Sequence, residues 1–256
     1  MSLHVAIHGH GPDLVLLHGW AMQGGVFDAL LPSLTQQYRV HCIDLPGHGL
    51  SVYANEMQSL QQLTAAVLPC VPEHALLMGW SLGGQVALQL AQQRSLRALV
   101  LVSTTPRFVA DVTWPQGMPS AVFTQFFARL HQNHARTVQD FLSLQVRGDS
   151  HAAATLASLK QSLLQHPVDT QALYDGLDIL RDADMRSALQ ELQLPTLVIS
   201  GEYDRITHPD AGEYLAQQLP NARFELCQRA GHAPFISHRD WFVEQLLHFL
   251  QALPAT

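Results

Sequence analysis

The sequence predicts an α/β protein, a mostly parallel central sheet flanked by helices, with an all-helical lid inserted late in the sheet. Three observations predict it. Short apolar runs alternate with amphipathic stretches along the chain. Several of those runs are apolar on consecutive positions, as expected of strands covered on both faces. The alternation then stops between about 105 and 190, where only helical spacing remains. Strand–helix alternation of this kind implies right-handed crossovers within one sheet.

Taken in order, DLVLLHG (13–19), YRVHCID (38–44), HALLMGW (74–80), LRALVLVS (96–103), LPTLVIS (194–200) and ARFELCQ (222–228) read as strands. Between them, 26–37, 59–68 and 83–93 have helical spacing, and a last helix runs from about 240 to 252. From Ala121 to His166 apolar residues recur at three- and four-residue spacing (Val122, Phe126, Leu130; Val138, Phe141, Leu142), which predicts three or four helices inserted after Ser103. The chain is therefore read as one domain, 1–256, with core 1–104 and 191–256 and a helical lid over 105–190. An insertion there is either a cap over the carboxyl ends of the strands, where ligands bind in such sheets, or a solvent-facing interaction appendage.

Composition narrows the function. Charged residues are 14% of the chain, apolar ones 47%, and the formal charge is −7 with Lys160 as the single lysine, so a polyanion such as nucleic acid is not the expected partner. The N-terminus lacks a basic region followed by a cleavable apolar segment, and no uncharged apolar run approaches the roughly 20 residues that span a bilayer. Cys42, Cys70 and Cys227 are odd in number and widely spaced, which suits reduced thiols. The expectation is a cytoplasmic protein without membrane contact.

The chemistry starts at Gly79-Trp80-Ser81-Leu82-Gly83, a G-x-S-x-G directly after a predicted strand and opening a predicted helix. Such a turn is crowded, so a Cβ on either side of the serine has no room. It lifts the Ser81 hydroxyl off the sheet and puts the Leu82 N–H at a helix N-terminus. A serine nucleophile needs a base and the base an orienting acid, here in the chain order Ser, acid, His. Asp204 follows LPTLVIS, and His232 follows ARFELCQ in AGHAPF; both fall on loops after strands. The competing acids Asp175, Asp178, Asp182 and Asp184 lie in or near the insertion. His18-Gly19-Trp20 closes the first strand, where the Trp20 N–H pairs with that of Leu82 as an oxyanion donor. His18 itself reads equally well as a packing residue, and His238 and His248 read as packing residues near the last helix.

No metal and no cofactor are expected. His4, His8 and His10, and His131 with His134, lack a Cys or carboxylate set at zinc-site spacing, and no H-E-x-x-H occurs. Gly9, Gly11, Gly24 and Gly25 match neither phosphate-loop nor dinucleotide patterns.

LVLLHGW, DLPGHGLS (44–51), GWSLGG (79–84), GEYD and GHAPF stand in the order found in the α/β-hydrolase superfamily, which the chain resembles over essentially its whole length. GWSLGG, ARTVQDFLSLQ (135–145), DGLDIL (175–180) and GHAPFISH (231–238) resemble more closely the biotin-pathway carboxylesterases, the pimeloyl-[acyl-carrier protein] methyl ester esterases. The resemblance implies a serine esterase with Ser81 as nucleophile, His232 as base, Asp204 orienting it, and Trp20 and Leu82 at the oxyanion. It also implies a substrate site lined by Trp20, Leu82, His232 and the segment Phe141, Leu142, Ser143, Leu144 and Gln145, and an acyl carrier protein as transient partner of a monomer.

Carrier proteins are acidic, and from Ala121 to His166 there are four basic residues (Arg129, Arg136, Arg147, Lys160) against two acidic ones (Asp140, Asp149), a locally positive face. These four are the candidate docking residues. Arg136 is retained from the relatives' lid arginines, whereas Asp140 and the Ala152–Ala154 run stand where others would be expected. Two rival readings share the scaffold. One is a C–C bond hydrolase or menaquinone-type lyase with the same triad, which calls for a more polar pocket than Phe123, Phe126, Phe127 and Phe141 would make. The other is a non-catalytic binding protein, which normally shows a broken triad.

Overall fold

The computed structural model describes residues 3–53 and 57–254. Its seven strands are β1 (Val5–His8), β2 (Asp13–Leu17), β3 (Arg39–Ile43), β4 (Leu76–Trp80), β5 (Ala98–Val102), β6 (Thr196–Gly201) and β7 (Ala222–Cys227). They stand in the order β1-β3-β2-β4-β5-β6-β7; β1 is antiparallel to β3 and every other pair is parallel.

The consecutive apolar runs have a simple cause. Side chains alternate across a strand, so a sheet covered on both faces needs apolar residues at every position. Val15, Leu17, Leu77, Leu99, Leu101 and Val198 feed one core, while Leu14, Leu16, Met78, Val100, Leu197 and Ile199 feed the other. Helices α2 (Leu60–Val67), α3 (Leu82–Leu90) and α8 (Pro209–Gln218) cover the first face. The single-turn α1 (Leu31–Leu34) and α10 (Arg239–Gln251) cover the second, preceded by the short α9 (Pro234–Ser237).

Between β5 and β6 the chain forms α4 (Ser120–Gln132), α5 (His134–Gln145), α6 (Ala152–Gln165) and α7 (Thr170–Asp182). Asn133 caps α5 by accepting the Arg136 N–H, and Asp169 caps α7 by accepting the Gln171 and Ala172 N–H groups. The start of α7 is tied to the core where Asp169 N–H donates to Gly47 O (2.8 Å).

Three elements depart from the sequence expectation. The helix expected over 26–37 is a 3-10 segment, Gly24–Leu30, followed by α1, with Pro32 and Asp28–Leu31 bonding shaping the junction. β1 and α8 were not anticipated. β1 is a half-exposed edge strand whose alternation (VAIH) is too short to register as a pattern. No helix among the described residues is long and apolar enough to cross a membrane.

The sheet order reverses between β2 and β4, because the chain leaves β2 toward β3 and returns on the other side. In open parallel sheets the crevice beyond the strand ends at such a switch point is where ligands bind. Trp20 follows β2 and Ser81 follows β4, on either side of it.

Candidate active site

Ser81 sits at φ 55°, ψ −118°, a left-handed conformation that a serine adopts only when its surroundings impose it. Its amide donates to Val102 O (3.0 Å), and Thr104 Oγ1 donates to Ser81 O (2.7 Å), so β5 and the loop after it grip the turn from below. The flanking glycines are sterically required. A Cβ on Gly79 would lie 2.3 Å from Gly83 O, and one on Gly83 would lie 2.4 Å from Leu17 O. The end of β2 can therefore touch the start of α3, which brings the loop after β2 against Ser81. Among the described residues no acceptor takes the N–H of Trp20 or of Leu82.

His232 and Asp204, 28 positions apart, meet with His232 Nδ1 2.7 Å from Asp204 Oδ2, both side chains almost wholly buried. Asp204 Oδ1 accepts from the Ile206 and Thr207 amides (2.8 and 3.0 Å), and Thr207 Oγ1 donates to Oδ2 (2.9 Å). A carboxylate held by that many donors is fixed in place, and as an acceptor facing Nδ1 it sets the imidazole tautomer. The His232 backbone is clamped as well, its N–H donating to Gln145 O (2.8 Å) and its O accepting from Trp80 Nε1 (2.8 Å). Nε2 is buried with no hydrogen-bond partner among the described residues.

The competing acids are all committed elsewhere. Asp175 accepts from the Tyr53 hydroxyl and from Gln171 Nε2; Asp178 and Asp182 pair with Arg181; Asp184 pairs with Arg107 and Arg186. Arg186 and Arg107 hold the Asp184 carboxyl well down, at about 2. The thiols are not alternative nucleophiles, since burial pushes Cys42 and Cys227 up to about 12. His18 is a structural residue: its Nδ1–H donates to Gly19 O (2.8 Å) and its Nε2 accepts the Leu45 N–H (2.9 Å). The DLPGHGLS segment is structural too, built around Asp44, whose oxygens accept the Gly24 and Leu50 amides.

Over Ser81 lies an apolar chamber of about 330 Å3. Trp20, Phe126 and Phe141 form one wall, with the Trp20 ring edge-on to both phenyl rings at 5.7 and 5.0 Å. The Trp20 indole N–H donates to Leu173 O (2.9 Å), and a Cβ on Gly176 would come within 2.7 Å of the ring, which explains the glycine of DGLDIL. Phe141 and Leu144 line the chamber. Leu142 and Ser143 do not: Leu142 packs fully buried in the second core with Val146 and Leu159, and Ser143 is exposed with its hydroxyl on Gln139 O. Successive helix positions point about 100° apart, so a five-residue stretch of α5 cannot face one cavity throughout. Leu82 offers its backbone while its side chain packs beside Gly176 and His48. Gln145 is buried, with both side-chain amide atoms lacking partners among the described residues.

Arg129 and Arg147 stand at the chamber with Asp140, and none of Arg129, Arg147 and Lys160 makes a salt bridge among the described residues. Arg136 is exposed and paired with Asp140 (3.1 Å), and Lys160 lies on the outer side of α6, away from the chamber. Sequence reasoning missed Phe108, Met118 and Ile206 of the lining and Thr207 beside the acid. Only Thr207 left a signal, a hydroxyl three residues after Asp204 on the same loop.

A profile of the α/β hydrolase fold matches residues 12–239 of the chain. The chain belongs to the α/β-hydrolase family. This α/β-hydrolase is 44% identical over 245 residues to the pimeloyl-[acyl-carrier protein] methyl ester esterase of Nitrosomonas europaea, a match covering 94% of this chain and 97% of that one. It is 41% identical over 255 residues to the protein of the same name from Xanthomonas campestris, covering 98% and 100%. An esterase from Exiguobacterium antarcticum (TM-score 0.90, 20% identity, covering 98% and 96%) and a bromoperoxidase from Bacillus anthracis (TM-score 0.90, 20% identity, covering 97% and 95%) share the fold of this α/β-hydrolase.

Proposed function

We propose that this α/β-hydrolase is a serine carboxylesterase that cleaves the methyl ester of pimeloyl-acyl carrier protein, giving the free acid and methanol, and that it also accepts short acyl esters. The observation that carries the reading is the buried Asp204–His232 pair whose Nε2 is unpartnered at the switch point where Ser81 stands. His232 takes the Ser81 proton as Oγ attacks the ester carbonyl, and the Trp20 and Leu82 N–H groups hold the developing oxyanion. Collapse expels methoxide, which leaves as methanol with the proton from His232. Water, deprotonated by His232, then attacks the acyl-enzyme and frees the acid and Ser81. Asp204 keeps the imidazole oriented and offsets its charge. No step calls for a metal or cofactor.

The chamber's apolar walls suit a polymethylene chain. In this reading residues 105–190 act as a lid on a single hydrolase domain, and the carrier's acidic face and phosphate meet Arg129 and Arg147. Arg136 contributes less because Asp140 already neutralises it. Three unpaired cysteines suit a reducing cytoplasm, and the enzyme works as a monomer. The test compares carrier-linked pimeloyl methyl ester with p-nitrophenyl butyrate. Arg129→Glu with Arg147→Glu should raise KM at least about tenfold for the first and leave the second unchanged. Equal effects on both substrates would sink the docking assignment, and turnover retained in Ser81→Ala would remove the serine mechanism.

A further inference from the structure

The turn between α5 and α6 carries Asp149, Ser150 and His151, and it packs against the start of α10, where His238 stands. One donor atom from each of Asp149, His151 and His238 lies within 4.8 Å of the other two. The two imidazole rings meet edge to face with centroids 4.9 Å apart, and the Ser150 hydroxyl bridges them, 3.2 Å from His151 Nδ1 and 3.3 Å from His238 Nε2.

Three features make this more than a chance meeting of side chains. The Ser237 hydroxyl donates to Ala233 O and accepts from His238 Nδ1–H (2.8 Å), which leaves the Nε2 lone pair of His238 aimed at the cluster. Asp149 is buried and fixed by two backbone donors, His151 N–H on Oδ1 (2.7 Å) and Gly231 N–H on Oδ2 (2.8 Å), with further lone pairs free. His151 is exposed, so a cation can enter and the imidazole can swing. Donors of a tetrahedral zinc site stand about 3.3 Å apart, given zinc–ligand bonds of about 2 Å, so closure asks for about 1.5 Å of side-chain rotation.

We propose that Asp149, His151 and His238 form a binding site for a borderline divalent cation, zinc above all, with a water completing the tetrahedron. Two imidazoles and one carboxylate are a donor set suited to such an ion and ill suited to magnesium or calcium. The site lies outside the chamber. It clamps the α5–α6 turn to the loop of His232, because Asp149 already holds Gly231, the residue before the base.

The experiment uses tag-free, chelator-stripped full-length protein titrated with zinc chloride by calorimetry, and with cobalt(II) followed by visible absorption. The expected result is saturable binding and tetrahedral cobalt bands that both disappear in the His151→Asn/His238→Asn double variant. Ser237→Ala should weaken zinc binding about 10- to 100-fold while esterase activity is retained, as for loss of an outer-shell partner. Zinc should also raise Tm in the parent and not in the double variant. Binding that survives unchanged in the double variant, which would place the ion on other histidines, overturns the proposal. So does the absence of binding at millimolar zinc. Neither outcome touches the serine mechanism, whose own test is Ser81→Ala.

Discussion

Helix α3 buries every residue except Gln89, whereas α4 buries only Phe123 and Leu130. The first begins directly after Ser81 and is pressed onto the ends of β2 and β4 through backbone contacts that glycine alone permits. The second roofs the chamber with a thin apolar stripe and turns Val122 toward solvent, 47% exposed. The core helix is fixed along its whole length, whereas α4 rests on phenyl contacts such as Phe123 with Phe108 and Phe126 with Trp20.

The largest expected effect falls in the core. Ser81→Ala should lower kcat for ester hydrolysis on the order of 10^4- to 10^6-fold with an unchanged circular dichroism spectrum, measured with p-nitrophenyl butyrate. Glycine replacements sharpen the contrast between the regions. Gly83→Ala sets a Cβ 2.4 Å from Leu17 O and should cost about 3 kcal/mol or more in urea unfolding. Gly148→Ala, at φ +90° but with Tyr203 no nearer than 3.3 Å, should cost only about 1 kcal/mol. Equal costs would mean that the elbow is no more constrained than the lid turn.

Acid stability is also a core property. Burial pushes His48 down to about 3 and lowers His18, so the folded protein keeps both imidazoles neutral while the unfolded chain takes up protons from pH 6.5 downward. The stabilising contribution of His48 is complete above that pH and is lost as pH falls toward 3, and that of His18 is lost in the same direction. The slope is about 1.4 kcal/mol per pH unit for each proton, and His48→Gln should make it shallower. A slope unaltered by that substitution would shift the acid sensitivity to other groups. The smallest effect belongs to the lid surface: Val122→Asn should move stability by less than about 0.5 kcal/mol while raising KM for longer acyl esters.

Much of this was legible beforehand. Six of the seven strands follow from short apolar runs, several of them apolar on consecutive positions, and Ser81, Asp204 and His232 from loops that follow strands in a fixed order. The edge strand β1 was not, because four half-exposed residues paired on one side carry too little pattern. Within the candidate site, Phe141 was legible as an apolar lid residue. That its neighbour Leu142 faces the opposite core depends on how α5 straddles the two cores, which one sequence window does not reveal.

The sequence by itself determined the layers, the elbow and the order of its chemical groups, since each rests on periodicity or on the steric demand of a few adjacent residues. Only the tertiary structure brought Asp204 against His232 and His238 against Asp149 and His151. Those are contacts between segments far apart in the chain. Their partners are chosen by packing and by the need of buried polar groups for donors and acceptors, neither of which is written in local pattern.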